Sequence, residues 1–425
     1  MQFHRGVGPE HYIQEPSSYW QETAAKSALS SELPSTADVV IIGGGILGTA
    51  TCYWLARAGI EVVLLEHAKL AHGATGRNGG FVSTGTAESY RAAIARLGHE
   101  VAQDILKVTL QNKALLHQIL SKEKIACDYS EPGSVHIALN EGQWRSLAQE
   151  AIALHVDGIS AKMLDRGQVQ DLIRTPLSPE IIGGRFLPED GVIHPVRLVQ
   201  GLAQASLHYG AKIYHATALQ LVSDGQKVQV YTMDRSLHAR KVIVATNAWT
   251  SNLLPEFSRL IVPVRGQMLA YTPITAVFPV GMSASITDTG EYWQQRKDGT
   301  IVLGGCRAVA PGRDEGVQLS VTTPEVQIAL EQVFPRLFPW LHELQVEYRW
   351  AGPMAFTPDY LPIADRMPEK PNIWVVGGFS GHGMPFGIRL GQLLTEAVIS
   401  GEIPTDLHPF LLNRVTLRSY MVKNE

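Results

Sequence analysis

The clearest hydrophobic pattern of the chain lies at residues 38–66, where two short apolar runs flank a segment of spaced apolar residues. Runs rich in valine and isoleucine are typical of strands buried in a parallel sheet, whereas spaced apolar residues followed by a glycine are typical of a helix. The pattern predicts a strand at 38–42, a helix at 46–58 that Gly59 ends, and a strand at 61–65. Together these elements make one βαβ unit.

The remainder of the chain alternates between helical and strand-like patterns. Helical spacing at 89–117 begins a second layer that interrupts the first domain. Residues 1–36 show no sustained period, so we expect an arm that lies over the surface. Further helices are predicted at 143–154, 195–209, after Pro324 and at 388–400, and further strands at 134–138, 212–214, 227–232, 241–245, 373–376 and within 262–303.

Length and composition narrow the class of protein. A chain of 425 residues exceeds one hydrophobic core, so we expect two domains built from discontinuous segments. A net charge of −4 with interspersed signs argues against a nucleic-acid surface, and Arg57 and Glu61 argue against a membrane span in the most apolar stretch. Three distant cysteines, Cys52, Cys127 and Cys306, fit neither a disulfide framework nor a metal site, so we expect a cytoplasmic protein without a bound metal.

A glycine-rich turn joins the first predicted strand to the first predicted helix. Gly43, Gly45 and Gly48 supply the G-x-G-x-x-G spacing in the context that gives it meaning, since a phosphate can approach the bare backbone at the helix N-terminus. Glu66 follows the second strand, 18 positions after Gly48, where an acidic side chain can accept hydrogen bonds from ribose hydroxyls. The turn therefore predicts a dinucleotide site.

A second glycine-rich segment, at residues 71–80, replaces the regular βα units that usually follow in nicotinamide-binding proteins. Its small residues let the backbone approach a flat ring system, and Arg77 and Asn78 can bind a pyrophosphate or ring edges. A surface loop is the alternative interpretation of this segment.

With these motifs in place, the sequence resembles the FAD-dependent oxidases related to D-amino acid oxidase, sarcosine oxidase and glycine oxidase. The resemblance extends over nearly the whole chain. It is carried by Ser18-Tyr19-Trp20, residues 38–66, residues 73–80, Ile193-His194-Pro195, residues 244–249, residues 349–352 and residues 378–383.

The resemblance implies an α/β fold in which a glutathione-reductase-like Rossmann FAD-binding domain lies beside an α+β substrate domain with a mixed sheet. It assigns 37–88, 186–256 and 346–425 to the FAD-binding domain, and 89–185 and 257–345 to the substrate domain. Since no cysteine lies shortly before the C-terminal glycines, where relatives attach FAD, we expect non-covalent FAD. The predicted cofactor-binding residues are Gly43, Gly45, Ile46, Leu47, Gly48, Glu66, His67, Ala74, Thr75, Gly76, Arg77, Asn78, Gly79, Gly80, Leu219 (backbone contacts to adenine), Ala245, Thr246, Asn247, Trp249, Gly352, Gly378, Phe379, Ser380, Gly381, His382, Gly383 and Met384.

Four residues are candidates for the substrate site: His382, Tyr292, Met354 and Met384. His382 can hold the substrate or tune the charge of the flavin, and Tyr292 matches a pocket tyrosine by resemblance; ordinary packing is the alternative for each of the four. Met354 stands where glycine oxidase has a carboxylate-binding arginine, so the usual clamp for an α-carboxylate is missing. This departure predicts a more apolar pocket.

The expected function is oxidation of the C–N bond of a small amine or amino acid to an imine, followed by hydrolysis, with oxygen as the electron acceptor. Because Ile301 or Val302 stands where sarcosine oxidase has a lysine that promotes the reaction with oxygen, a dehydrogenase that uses a quinone or a carrier protein is the first alternative. The second alternative is a flavoprotein without turnover that serves as a binding partner.

Overall fold

The computed structural model describes residues 15–25, 29–30 and 32–421. Their helices are α1 (Tyr19–Glu22), α2 (Ile46–Arg57), α3 (Tyr90–Leu97), α4 (His99–Glu123), α5 (Glu141–Val156), α6 (Arg166–Leu172), α7 (Pro195–His208), α8 (Thr250–Leu253), α9 (Pro324–Glu331), α10 (Val333–Leu337), α11 (Gly387–Ser400) and α12 (Arg418–Met421). Their strands are β1 (Thr36–Ile42), β2 (Val62–Glu66), β3 (Phe81–Val82), β4 (Ser134–Ala138), β5 (Lys162–Asp165), β6 (Gly183–Leu187), β7 (Gly191–Val192), β8 (Lys212–His215), β9 (Ala218–Ser223), β10 (Val228–Thr232), β11 (Ser236–Val244), β12 (Val262–Tyr271), β13 (Gly281–Ala284), β14 (Glu291–Gln295), β15 (Ile301–Gly305), β16 (Val346–Phe356), β17 (Ile363–Arg366) and β18 (Ile373–Gly377).

The first sheet has the strand order β17-β18-β11-β1-β2-β8, and β9 and β10 extend it as a hairpin on β11. Strands β18, β11, β1, β2 and β8 run parallel, as the βαβ unit predicts. Helix α2 packs between α7 and α11 on one face of this sheet. The continuous apolar runs of β1 and β2 are explained by burial on both faces.

The second sheet is mixed, with the order β16-β12-β15-β14-β13-β4-β6-β5, in which only the β13–β4 pair is parallel. Side chains alternate between its two faces. Trp293 lies on one face, in an aromatic cluster with Phe278, Phe334 and Phe338, whereas its neighbour Tyr292 lines a cavity on the other. The second sheet therefore forms one wall of that cavity.

Two segments that the sequence analysis assigns to the FAD-binding domain lie in the second sheet instead. The sequence analysis assigns residues from 346 onward to the FAD-binding domain, but β16 pairs with β12 from Val262 to Tyr271 and belongs to the second sheet. Residues 186–187 likewise lie in β6 of that sheet. A hydrophobic strand does not reveal which of two sheets it joins, because its partner is distant in the sequence.

Residues 18–20 of the N-terminal arm are buried, which corrects the expectation of a surface segment for this part of the arm. Ser18 and Trp20 are completely buried, and Tyr19 is 5% exposed. The Trp20 indole Nε1 donates to the Asn78 carbonyl at 2.7 Å, and the Ser18 hydroxyl donates to the Gly76 carbonyl. Residues 1–14, 26–28 and 31 of the predicted arm lie outside the described residues.

Within the part of the chain that the structure describes, none of the helices combines the length and the apolar composition that crossing a membrane requires.

Candidate active site

The turn between β1 and α2 has the geometry that its glycines predict. Gly43 has a φ of +112°, and a Cβ there would lie 2.6 Å from the Ala245 carbonyl oxygen. A Cβ on Gly48 would lie 1.9 Å from the Gly43 carbonyl oxygen, so α2 approaches the turn as closely as backbone allows. A phosphate can therefore reach the backbone at the N-terminus of α2.

Glu66 ends β2 beside this turn. Its carboxylate accepts hydrogen bonds from the backbone N–H of Gly44 at 2.7 Å and of Ala68 at 2.8 Å, and it lies 2.9 Å from Nδ1 of His67. Burial opposes the ionisation of Glu66, but these three partners together lower its pKa. The carboxylate is thus ionised and fixed beside the turn, as binding of a ribose requires.

The segment at 73–80 lies beside the same turn, and its 3₁₀ helix Ala74–Arg77 contacts the first residue of α2 through Thr75. The Thr75 hydroxyl accepts a hydrogen bond from the Ile46 N–H at 3.0 Å. Asn78 Oδ1 accepts one from the Gly80 N–H at 2.8 Å and thereby shapes the backbone that faces the cavity. The segment forms part of the cavity wall rather than a plain surface loop.

The structure corrects the role of the Arg77 side chain. Its guanidinium donates to the carbonyls of His72 at 3.0 Å, Pro16 at 2.9 Å and Ala351 at 2.8 Å, and it lies 3.3 Å from the Glu15 carboxylate. These contacts occupy the donors that a pyrophosphate would need. Arg77 instead ties the N-terminal arm and β16 to the segment at 73–80, and it faces the cavity beside that segment.

Two distant segments meet on the other side of the turn. Asn247, at a φ of +49°, accepts a hydrogen bond from the Gly378 N–H at 3.0 Å through Oδ1, which joins the loop after β11 to the loop after β18. The Ser380 N–H donates to the Ala355 carbonyl at 2.7 Å. The loop at 378–384 is thereby held against both sheets.

Asn112 is a functional residue that the sequence analysis missed. This completely buried α4 side chain donates through Nδ2 to the Met384 carbonyl at 3.1 Å. Its Oδ1 accepts hydrogen bonds from the Ile388 N–H at 2.9 Å and the Arg389 N–H at 3.1 Å, at the start of α11. Asn112 therefore caps α11 and positions the C-terminal glycine loop at the same time.

Asn112→Ala is expected to lower the free energy of unfolding by about 2–3 kcal/mol and to weaken FAD binding, because three buried backbone groups lose their partner. Denaturant titration and FAD titration of the apoprotein measure the two effects. The exposed Asn413→Ala serves as the matched control and is expected to change stability by less than about 0.5 kcal/mol. Equal stability of the two variants would contradict the positioning role.

A single cavity of about 1040 Å³ connects these elements. Four predicted residues lie outside its wall. Gly48, Gly76 and Gly378 instead allow close packing. A Cβ on these three glycines would lie 1.9 Å, 2.0 Å and 2.4 Å, respectively, from the nearest atom of another residue. Leu219 is 53% exposed on β9, and the backbone before it contributes Ala216, Thr217 and Ala218 to the wall. The predicted residues that line the cavity are Gly43, Gly45, Ile46, Leu47, Glu66, His67, Ala74, Thr75, Arg77, Asn78, Gly79, Gly80, Ala245, Thr246, Asn247, Trp249, Tyr292, Gly352, Met354, Phe379, Ser380, Gly381, His382, Gly383 and Met384.

The four predicted substrate-site residues all face this cavity. The Tyr292 ring is seated between Gly79 and Gly304, where a Cβ on either glycine would lie 2.7–2.8 Å from the ring. Burial raises the pKa of Tyr292 to about 12, so its hydroxyl keeps its proton at neutral pH. The sulfur of Met354 lies 3.4 Å from the Cβ position of Gly381, and Met384 is buried.

His382 is half-buried and borders the cavity, but its Nδ1 is fully buried and has no hydrogen-bond partner among the described residues. Burial lowers the pKa of His382, so the imidazole is neutral at neutral pH. A buried polar atom without a partner is uncommon in a folded protein. His382 therefore contributes a neutral imidazole to the cavity wall.

The cysteines lie away from this site. Cys52, Cys127 and Cys306 are buried, and none of them is part of the cavity wall that the described residues form. Ile301 and Val302, at the position where the resemblance leads one to look for a lysine, are buried in the second sheet. Non-covalent attachment of FAD stays a prediction.

The fold and the site define a class of protein, namely a dinucleotide-binding oxidoreductase whose mixed sheet closes a cavity over the cofactor turn. The comparisons with known proteins agree with this class. The family model described as "FAD dependent oxidoreductase" matches residues 38–397. The chain belongs to this family of FAD-dependent oxidoreductases, the DAO family.

Several relatives cover most of the chain. It is 26% identical to a probable oxidoreductase of Haemophilus influenzae over 86% of this chain and 84% of that protein. It is also 26% identical to γ-glutamylputrescine oxidoreductase of Escherichia coli, over 89% of this chain and 88% of that protein, and the sequence motifs indicate the same likeness. The crystal structure of glycine oxidase from Geobacillus kaustophilus superposes with a TM-score of 0.79 at 21% identity, covering 90% of this chain and 99% of that one, which confirms the fold.

FAD, the cofactor of the family, fits the residues that are present. The glycine turn leaves the space that a Cβ would fill, Glu66 is ionised beside it, and the cavity continues from the turn to the side chain of His382. The turn and Glu66 would hold the adenosine and pyrophosphate end. The loops at 73–80 and 378–384 would hold the end that carries the flavin ring.

Proposed function

We propose that the protein oxidises the C–N bond of a small amine or amino acid to an imine, which then hydrolyses, with oxygen as the electron acceptor. The observation that carries this proposal is the continuity of one cavity from the dinucleotide turn to a compartment bordered by Tyr292, Met354 and His382. The names of the relatives support it, since they include a γ-glutamylputrescine oxidoreductase and a glycine oxidase.

The chemistry that FAD supplies when bound is acceptance of a hydride from the carbon that bears the amine. The residues of the chain orient that carbon and keep the amine neutral. Neutral His382 and the protonated Tyr292 hydroxyl offer hydrogen bonds to the substrate, while Met354 and Met384 exclude water from the reacting carbon. Because the amine reacts in its neutral form, a strong side-chain base is not required.

The resemblance implies that the N-terminus of the helix that follows residues 378–384, here α11, faces the flavin and stabilises negative charge on its ring, but part of this helix end is occupied within the protein. Two N–H groups in its first turn donate to Asn112. We infer that the backbone of the loop at 381–384 and the dipole of α11 would stabilise negative charge on a bound flavin ring. The N–H donors in the first turn of α11 would contribute less.

The test is anaerobic mixing of the purified yellow protein with a panel of primary amines, secondary amines and amino acids, followed by the visible absorbance of the flavin. Bleaching by a member of the panel supports the proposal. Rapid recovery of the colour on admission of oxygen supports an oxidase, and slow recovery that a quinone accelerates supports a dehydrogenase. No bleaching with any compound would overturn the proposal and favour a flavoprotein that acts as a binding partner.

His382→Ala is expected to lower turnover about tenfold and to change the midpoint potential of the flavin, because one buried hydrogen bond to the cofactor or substrate is lost. His382→Gln, which retains a polar side chain, is expected to recover part of the loss. Steady-state kinetics and a redox titration measure both quantities. Unchanged turnover together with an unchanged potential would show that the imidazole only fills space.

A further inference from the structure

The cavity extends beyond the flavin compartment along the second sheet. Tyr292 on β14 is opposite Ser283 on β13, Ser283 is in register with His136 on β4, and His136 is opposite Arg185 on β6. Residues in register share one face of a sheet, and all four line the cavity. Three strand spacings place the Tyr292 and Arg185 backbones roughly 14 Å apart. The cavity is therefore elongated and ends at an arginine.

Arg185 lacks the partners that a buried arginine normally has. Its Nε is buried without a hydrogen-bond partner in the part of the chain that the structure describes. Its closest ionic contact is Glu150, whose Oε1 lies 3.7 Å from Nη1, beyond hydrogen-bond distance. The side chain is 16% exposed, and it borders the cavity. A guanidinium in this state is free to form charge-assisted hydrogen bonds to an anion.

The nearby carboxylates are already engaged by other donors. Glu150 accepts from the backbone N–H of Tyr90 at 2.6 Å and of Arg91 at 3.1 Å, at the start of α3. Asp190 accepts from the Thr84 N–H at 2.9 Å and from the Ser134 hydroxyl at 2.6 Å. Both carboxylates attract the guanidinium and hold its charge in place, but neither is within hydrogen-bond distance of it.

His136 does not supply a second positive charge beside Arg185. Its Nδ1 lies 3.0 Å from the Ser283 hydroxyl and its Nε2 lies 3.1 Å from the Ser285 hydroxyl. Burial and the neighbouring Arg185 lower the pKa of His136 to about 4, so the ring is neutral at neutral pH. Lys113 is not part of the cavity wall, and it donates to the Thr84 hydroxyl and the Glu189 carbonyl. Among the described residues that line this end of the cavity, Arg185 is the cation.

We propose that Arg185 binds a carboxylate of the substrate that is several bonds away from the reacting amine, while the amine lies near Tyr292 and His382. This proposal rests on the proposed amine oxidation. It accounts for Met354 at the position of the usual α-carboxylate clamp, because the anion is recognised on the substrate sheet instead. Arg185 is thus a specificity-determining residue, and the substrate is an elongated amine with a remote carboxylate.

The experiment uses the FAD-loaded protein with straight-chain ω-amino acids from aminobutanoate to aminooctanoate and their primary amides, which lack only the negative charge. The rate of anaerobic flavin reduction and the apparent Kd are measured for wild type, Arg185→Gln and Arg185→Lys. We expect wild type to bind the best carboxylate about ten- to hundredfold more tightly than its amide, and Arg185→Gln to lose this preference through Kd alone. Arg185→Lys retains part of it.

Arg307, which lines the cavity and lies over the Phe356 ring, provides the rival variant Arg307→Gln. The proposal would be overturned if Arg307→Gln lost the preference for the carboxylate while Arg185→Gln kept the wild-type preference. It would also be overturned if the wild-type protein did not prefer the carboxylate to its amide. If no amine reduces the flavin, the proposed function fails. The anion site at Arg185 is then tested separately, by the shift of the flavin absorbance spectrum when the same compounds bind. An Arg185-dependent shift by the carboxylates supports the anion site, and its absence overturns it.

Discussion

Gly48→Ala is expected to yield a protein that purifies without FAD, with an affinity for added FAD reduced about hundredfold. The added Cβ would lie 1.9 Å from the Gly43 carbonyl oxygen, and the atom it meets is backbone, which cannot rotate away. Helix α2 must therefore move from the turn, at a cost near 3 kcal/mol for overpacking. The ratio of flavin to protein absorbance after purification, and FAD titration by fluorescence, measure the effect.

The matched control is Gly167→Ala, the same change at an exposed position of helix α6. There the nearest atom to the added Cβ is Oδ1 of the exposed Asp165 at 3.3 Å, so a shift of a few tenths of an ångström makes room for the methyl group. Alanine is favoured over glycine in a helix, so this variant is expected to keep FAD and to gain slightly in stability. Retention of FAD by Gly48→Ala at the wild-type level would refute the close approach of α2 to the turn.

Trp20→Ala is expected to lower the free energy of unfolding by about 3–5 kcal/mol, the range for removing a large buried aromatic side chain. Trp20 is completely buried, donates to the Asn78 carbonyl at 2.7 Å, and lies 5.1 Å beneath the guanidinium of Arg296. The variant removes packing directly behind the segment at 73–80, so FAD affinity falls as well. Thermal unfolding with and without excess FAD separates the two effects.

Trp340→Ala is the corresponding control, since Trp340 is 76% exposed and its loss is expected to change stability by less than about 0.5 kcal/mol. Trp20→Phe retains an aromatic ring but loses the hydrogen bond to Asn78, and an intermediate loss is expected. If Trp20→Ala were no less stable than Trp340→Ala, the N-terminal arm would not be an integral part of the cofactor domain.

The sequence predicts the cofactor turn well because its determinants are local. The strand at 38–42, the helix from Ile46 and the position of Glu66 are all encoded within 30 residues, and the structure differs by only one or two residues at the ends of these elements. The helical pattern at 89–117 is correct in type but not in extent. It breaks at Gly98 into α3 and α4, and α4 continues to Glu123.

The remainder of the candidate site depends on contacts between residues that are far apart in the sequence. Arg77 was a plausible phosphate ligand by residue type, but its donors are used by carbonyls of Pro16 and Ala351, which no local pattern reveals. Asn112 and Arg185 show the same limit. A polar residue within an apolar helical pattern was the available signal for Asn112, whereas Arg185 gains its meaning only from the strand order that places it opposite His136.

The order of strands in the first sheet also has a consequence for biosynthesis. The turn at 43–48 is translated more than 300 residues before the loop at 378–384, and both segments contribute to the cavity wall. Neither half of the polypeptide contains a complete cofactor site. We therefore expect FAD to be retained only after the loop at 378–384 has been synthesised and has folded beside the turn, so that the yellow colour of a preparation reports folded chains that contain both segments.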